Sequence, residues 1–473
     1  MITTVYTPQL ELLHRGKVRD SFRIDDQRRL IVVTDRISAF DLKIKTPIAR
    51  KGEILNQLAA FWFDQTKHIV ANHVLHIVDG QAMVVRECTP LKVEMVVRGA
   101  ISGSMWRAYK AGARMISGVT VPDGLTENQL LQTPIVTPTT KEESDREITP
   151  ADIVATGLVD AQTYAQMADI ALQLFDFGRT VAATRGLILA DTKYEFGLAD
   201  GKLMLIDEIH TADSSRFWDA EAYVAAPAQV PSFDKEYVRQ WMRAHQVDGA
   251  LPLLLPDDVA AETSRRYALL YERLTGMQLP VADPDPLHRL YRNLVAHKLI
   301  ADGYVAIVMG SRADLPWCES IAHTIKGYDV AVDLRILSAH KNGERMAEVV
   351  REYNGSLEPG AIVAVAGQSN GLGGALAANV NLPVINCPPF HDDTDYLVNV
   401  HSSLRMPSKV PAATVIKPEL AAQAAVRSLN LRRLRDRMSK EIEGMKATLL
   451  HDDGEVRHHA RHSGHAAHLG AKL

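Results

Sequence analysis

From Tyr304 onward, short runs of wholly apolar residues alternate with segments of helical spacing, and few folds accept that pattern. The runs are VAIVMGS, ending at Gly310-Ser311, VDLRILSAH, ending at His340, AIVAVAG, ending at Gly367, and LPVINCPP. A strand that is apolar on both faces must be covered on both, and helical crossovers do this while returning the chain to the same end of the sheet. The expected product is an α/β three-layer domain with a parallel sheet, taking its ligand at the carboxyl ends of the strands. Ser311, His340 and Ser369 all fall at that edge. A dinucleotide site at GQSNGLGG is excluded, because the glycine spacing is wrong and no acidic residue ends the next strand.

The first part of the chain is patterned differently. In Leu187–Trp218, Asp191, Lys193 and Glu195 alternate with Thr192, Tyr194 and Phe196, which puts the charges on one face of a strand. Asp200-Gly201 suits a tight hairpin turn, and Leu203–Ile206 returns to Asp207 and Glu208. Carboxylates clustered beside apolar strands fit a metal or phosphate site, and a hairpin with one solvated face fits the same residues equally well. Leu10–Leu13, Ser21–Ile24 and Leu30–Thr34 read as strands. The loop after the first holds Gly16, Lys17 and Arg19, which suit phosphate oxygens or simply a turn. Asp35 and Ser38 follow at a strand end, a usual place for functional polar groups. A strand at Leu91–Val97 leads into Arg98 and Ser104, an anion-binding turn or a surface arginine beside a flexible one.

Pro134–Thr149 reads as a charged loop. Thr149 then caps a helix with Pro150 in its first turn, expected to run to about Arg185. Phe233–His245 and Asp257–Leu274 are helical, Leu279–Pro286 is a proline-rich linker, and a short helix spans Leu287–Leu299. Leu431, Leu434, Met438, Ile442, Met445 and Leu449 recur as one long helix that packs on the body or on a partner subunit. The end from His451 carries six histidines and reads as a disordered, solvated tail.

At 473 residues the chain exceeds one ordinary core. The expected divisions are 1–280, a linker with a short helix at 281–302, 303–430, a helix at 431–450 and a tail at 451–473. A net charge of −4 gives no case for nucleic acid or an anionic membrane. Three scattered cysteines, Cys88, Cys318 and Cys387, argue for a reducing compartment, and no apolar run approaches the ~20 residues that span a bilayer. A cytoplasmic location is the expectation.

Seven motifs in register resemble phosphoribosylaminoimidazole-succinocarboxamide synthase over residues 1–280. They are GKVRD at Gly16, TDRISAFD at Thr34, RGAISGS at Arg98, TPTTKEESDREIT at Thr137, ADTKYEFG at Ala190, IDE at Ile206 and DSSRFW at Asp213. From 303 to 430 the chain resembles phosphoribosylaminoimidazole carboxylase of the type that uses carbon dioxide without ATP. Here the motifs are MGSRAD at Met309, SAHK at Ser338, AVAGQSNGLGG at Ala364, PVINCPP at Pro383 and HSSLRMPS at His401.

The resemblance implies an α+β first domain, with a β-rich ATP-binding lobe and an α/β lobe, followed by a flavodoxin-like second domain. It implies a bifunctional enzyme of purine biosynthesis using ATP and Mg2+ in its first half and no cofactor in its second. Its partners would be aminoimidazole ribonucleotides, L-aspartate and carbon dioxide, and its form an octamer built on the C-terminal domains. On the matching positions, Gly16, Lys17 and Arg19 would bind ATP, and Glu195 and Asp207 would bind magnesium. Asp191 and Lys193 would act in catalysis, and Arg98, Ser104, Arg216, Asp35 and Ser38 would bind substrate. In the second half His340 would move the proton, because an ordinary imidazole titrates near neutrality. Lys341 would hold the new carboxylate, with Ser311, Asp314, Ser369, Asn370 and Gly371 around the ribonucleotide and the gas. Two alternatives remain: only one half turns over while the other serves assembly, or the chain is a nucleotide-binding regulator.

Overall fold

Alternating charged and apolar residues build two five-stranded antiparallel sheets in the first half, beside two small two-stranded ones, and the apolar runs build one parallel sheet in the second. The computed structural model describes residues 1–141 and 146–469, with side chains through 461. It divides into one unit of Met1–Val5 with Leu10–Leu299 and another of Tyr6–Gln9 with Ile300–Leu473. Among the described residues no helix is long and apolar enough to cross a membrane.

In the first unit, one five-stranded sheet has the order Glu11–Arg15, Arg19–Arg23, Arg28–Val33, Ala82–Arg86, Val74–Asp79. The second runs Leu130–Thr140, Thr89–Ala100, Leu187–Ala199, Lys202–Ile206, with Ser215–Asp219 also paired to the long strand Leu187–Ala199. The expected hairpin is present, with Asp200 at φ 50° and Gly201 at φ 73° at its tip, the left-handed pair that such a turn requires. Apolar residues of the long strand, Tyr194 and Phe196 among them, enter one core with Trp62, Phe63, Leu174 and Phe175.

Two expectations for this unit change. Leu130–Thr140 is a strand rather than loop, at the edge of its sheet. Its Pro134 and Pro138 lack the N–H that an interior strand must donate on both sides, and an edge tolerates that. The helix after Thr149 stops at Ala155, and a second spans Ala161–Thr184. Thr149 does cap the first, accepting from Asp152 N at 3.1 Å. Gly157, at φ 69°, turns the chain out of it, and Asp160 caps the next by accepting from Thr163 N at 2.9 Å.

The short helix, Pro286–Ala296, belongs to the first unit rather than to a linker. Arg289 Nε pairs with the buried Asp79 at 3.0 Å and Asn293 donates to it at 2.6 Å.

The second unit holds a five-stranded parallel sheet ordered Ala331–Ile336, Tyr304–Met309, Gly360–Val365, Val384–Asn386, Ala413–Thr414. One face packs on the helices Leu315–Lys326 and Pro418–Ser428, the other on Gly343–Asn354 and Gly371–Asn379. Tyr6–Gln9 completes this unit: Tyr6 O accepts from Leu357 N at 3.0 Å, Thr7 Oγ1 bonds Glu358, and Ala301 N donates to Gln9 Oε1 at 2.7 Å. The terminal helix runs Arg432–Leu469, beyond the expected stop near 450 and through most of the expected disordered tail. The stretch 451–469 has no proline to break it, and its arginine, glutamate, alanine and leucine, good helix formers, offset Gly454 and Gly464.

Candidate active sites

The charged face of Leu187–Ala199 is a cavity wall, and what lies opposite explains how its charges coexist. Glu195 stands directly across from Glu94 in the antiparallel register, a pairing that like charges disfavour. Lys193 resolves it, donating to Glu94 at 2.8 Å and also to Glu195, which Lys141 meets from the other side. Burial alone would lower the Lys193 ammonium, but Asp207 and Glu94 outweigh it and hold its pKa above the usual value.

Two cavities meet here. The first, about 460 Å³, has apolar walls from Val18, Ile31, Val85 and Ile206, and its polar side carries Gly16, Lys17, Arg19, Lys141, Glu195 and Asp207. Arg19 reaches Asp207 at 2.8 Å and Glu208 at 2.7 Å. Burial pushes the Asp207 carboxyl up, but Arg19, Lys193 and Lys141 outweigh it and keep it below the usual range.

The second cavity, about 420 Å³, is lined by Ser38, Arg98, Ser104, Asp191, Arg216 and a further set of cations that includes Lys235, Arg239 and Arg243. Arg98 is buried, with Nε on Thr137 Oγ1 at 2.8 Å and Nη2 on Ser104 Oγ at 3.1 Å. A guanidinium held by two hydroxyls is well suited to an incoming anion. Arg216 pairs with Asp191 and also donates to Ser102. Lys17, Ser38, Lys193 and Glu208 belong to the walls of both cavities.

Asp35 is the exception among the expected substrate ligands. It is 1% exposed, and its carboxylate accepts from Ile2 N at 2.7 Å and Gly52 N at 2.9 Å. It ties the chain start to a helix start and lines neither cavity. Burial pushes its carboxyl up, those amides only partly opposing.

Several contributors went unassigned in the sequence. Glu94 and Lys235 gave no local signal beyond a charge beside an apolar run, and Lys141 and Asp213 lay within the motifs TPTTKEESDREIT and DSSRFW without a role of their own. Of the motif from Thr137 to Thr149, Glu142, Glu143, Ser144 and Asp145 lie outside the described residues. Among those that are described, no group of three or more histidine, cysteine, aspartate or glutamate side chains is arranged to hold an ion.

In the second unit, Ser311, His340 and the turn Ser369-Asn370-Gly371 follow three neighbouring strands at one sheet edge. Ser311 N and Oγ both reach Asp314 Oδ2, at 3.1 and 3.2 Å, fixing the turn after Tyr304–Met309. Asn370 caps the helix Gly371–Asn379, accepting from Gly373 N at 2.9 Å while its amide donates to Ser403 Oγ at 2.9 Å. Gln368 sits at φ 60°, held by a 2.6 Å bond from its N to Asn399 Oδ1. His340, Lys341 and Ser369 are exposed, and the His340 ring lies so close to Gly371 that a Cβ there would meet its Cε1 at 2.6 Å.

Residues 12–252 match the SAICAR synthetase family model, a little over half the chain. The chain belongs to that family. Residues 304–448 match the AIR carboxylase model. A phosphoribosylaminoimidazole-succinocarboxamide synthase of Cupriavidus necator is 44% identical over 294 residues, spanning 57% of this chain and 96% of that protein. The synthase of Desulfosudis oleivorans is 42% identical over 286 residues, 57% of this chain and 97% of its own. Among solved structures, the SAICAR synthase of Saccharomyces cerevisiae complexed with SAICAR is 33% identical with a TM-score of 0.54, covering 59% of this chain and 99% of that one. The SAICAR synthetase half is thus a ligase and the AIR carboxylase half a lyase, both of purine biosynthesis.

Proposed function

We propose that the two halves catalyse consecutive steps. The second carboxylates aminoimidazole ribonucleotide with carbon dioxide, and the first joins the product to L-aspartate at the expense of ATP. The observation that carries the ligase reading is the wall shared by two cavities, with Lys193 and Lys17 reaching both. A carboxylate is a poor acyl donor, so phosphoryl transfer to it, followed by attack of the aspartate amine and loss of phosphate, is the reasonable route. Such a transfer needs in-line placement and charge neutralisation more than an acid or base. The first cavity suits the nucleotide, since its apolar walls fit a base and Lys17, Arg19 and Lys141 fit phosphates. The second suits the ribonucleotide, whose phosphate Arg98, Ser104 and Arg216 would take.

The donor set also fits magnesium. That ion is usually held by one or two carboxylates, with phosphates and water completing its shell, and Glu195 and Asp207 line the nucleotide cavity together. When bound it would neutralise phosphate charge. Until then Lys141, Lys193 and Arg19 neutralise those carboxylates.

In the carboxylase half, carbon of the aminoimidazole attacks carbon dioxide and its proton leaves to His340. Lys341 would hold the new carboxylate, and Ser311 and Asp314 would hold the ribose phosphate. The Ser369-Asn370-Gly371 turn would enclose the gas. A cytoplasmic octamer built on this half remains part of the proposal.

The test uses the full chain in two assays. Aminoimidazole ribonucleotide with bicarbonate and no ATP should give the carboxylated ribonucleotide. That product with ATP, magnesium and aspartate should give ADP, phosphate and the succinocarboxamide. A dependence of the first assay on ATP would remove the carbon dioxide reading. Binding without turnover in either assay would favour a regulatory chain.

A further inference from the structure

The motif HSSLRMPS, from His401 to Ser408, has no task in the chemistry assigned above, yet it starts on the helix that meets the turn Ser369-Asn370-Gly371. That helix runs Asp393–Leu404, and its Asn399, Ser402 and Ser403 stand at spacings of three and four, hence on one face. From this face Asn399 Oδ1 accepts from Gln368 N at 2.6 Å and Ser402 Oγ accepts from Asn370 N at 2.7 Å. Ser403 Oγ accepts from Asn370 Nδ2 at 2.9 Å.

The same residues tie the helix to the sheet edge. Asn399 Nδ2 donates to Pro389 O at 2.7 Å, and Ser403 Oγ donates to Asn399 O at 2.8 Å. Asn386 and Thr414, which end the strands Val384–Asn386 and Ala413–Thr414, donate to Ser403 O at 3.3 and 3.2 Å. The turn depends on this seating. Gln368 keeps a φ of 60°, and a residue with a side chain persists there only where its surroundings impose it. Asn370 is 5% exposed. Its N and Nδ2 donate to the helix and its Oδ1 accepts from Gly373 N, so its side chain shapes the turn rather than touching a ligand.

We infer that Asn399, Ser402 and Ser403 are positioning residues for carboxylation, which hold the turn closed around the carbon dioxide. This rests on the carboxylase reading above. Ser311 and Asp314, which would hold the ribose phosphate, follow a different strand. A loosened turn therefore weakens affinity for the gas and leaves affinity for the ribonucleotide. Gly371 lies against the His340 ring, so turnover slows as well.

The test is steady-state carboxylation by the full chain, with bicarbonate equilibrated by added carbonic anhydrase and each substrate varied in turn. The chains compared are wild type, Ser402→Ala, Ser402→Thr and Ser403→Ala, each also titrated calorimetrically with aminoimidazole ribonucleotide and melted. Loss of one hydrogen bond should raise KM for carbon dioxide by about threefold to tenfold in either alanine variant. KM for the ribonucleotide should stay within about twofold, with its binding stoichiometry kept. Ser402→Thr retains the accepting oxygen and should recover most of the loss. An unchanged KM for carbon dioxide in both alanine variants overturns the inference, whatever happens to kcat or to the melting temperature. A merely structural loss lowers the number of working sites and leaves that constant alone. An equal rise in both KM values overturns it too. A wild-type chain that does not carboxylate sinks the carboxylase reading, and the inference with it.

Discussion

Lys51 and Asp213 form an ion pair of 2.8 Å with side chains 0% and 1% exposed, directly beneath the second cavity of the first unit, which Asp213 helps to line. Asp213 also takes Lys235 at 3.1 Å and the Tyr267 hydroxyl at 3.0 Å. Burial pushes its carboxyl up, but Lys235 and Lys51 outweigh it and hold it well below the usual carboxylate range. Burial prevails at Lys51, whose ammonium is pushed down. The two partners should therefore respond unequally to removal. Asp213→Asn strands a buried ammonium and should destabilise by about 3–5 kcal/mol, whereas Lys51→Met leaves Asp213 with two partners and should stay within about 1 kcal/mol. Urea unfolding of both variants checks the asymmetry.

A second expectation concerns Gly371. Alanine there would put a Cβ 2.6 Å from the His340 ring, which is exposed and can swing away. The fold should hold while His340 moves off its place. Carboxylation should fall by about a hundredfold, the usual effect of a displacement near 1 Å, with the ATP-dependent reaction and the melting temperature unchanged.

Acid should weaken the first unit before its carboxylates titrate. Burial pushes His73 down to about 4 and His210 down to about 3. Among the described residues, His73 Nε2 and His210 Nδ1 find no hydrogen-bond partner. An unfolded histidine takes its proton near 6.5, so the stability from both groups is complete above that value and is lost as pH falls toward 4 and then 3. Between pH 7.5 and 5 the loss should be about 2 kcal/mol for each. A urea midpoint that is flat across this interval would contradict it.

Glu195→Gln and Asp207→Asn should each lower the ATP-dependent step by about a hundredfold or more and raise the magnesium concentration it needs. The carboxylation assay on the same preparations should read as wild type. Loss of both activities would show instead that the hairpin holds the fold.

Motif and periodicity located most of what lines the cavities, because Arg98, Lys193, Glu195 and Arg216 sit on strands, where alternation fixes direction, and Ser104 opens the helix just after one. Asp35 misled because a carboxylate at a strand end looks the same in sequence whether it faces ligand or caps two buried amides. Lys51 and Asp213 were illegible for a related reason: 162 residues separate them, and only the packed fold makes them partners. Pro134 and Pro138 argued for loop because sequence does not say which strand will be an edge. The break near Gly157 was hidden by apolar periodicity that continues on both sides of it.

Residues 6–9 are synthesised well before the strands they complete, since Tyr6 waits for Leu357 and Thr7 for Glu358. While the ligase half is emerging from the ribosome, this short segment has no surface on which to settle. The second unit is thus sealed by residues made long before the rest of it. A gene cut between the two coding regions would not yield two whole proteins, because each half-gene would hold a piece of the carboxylase fold.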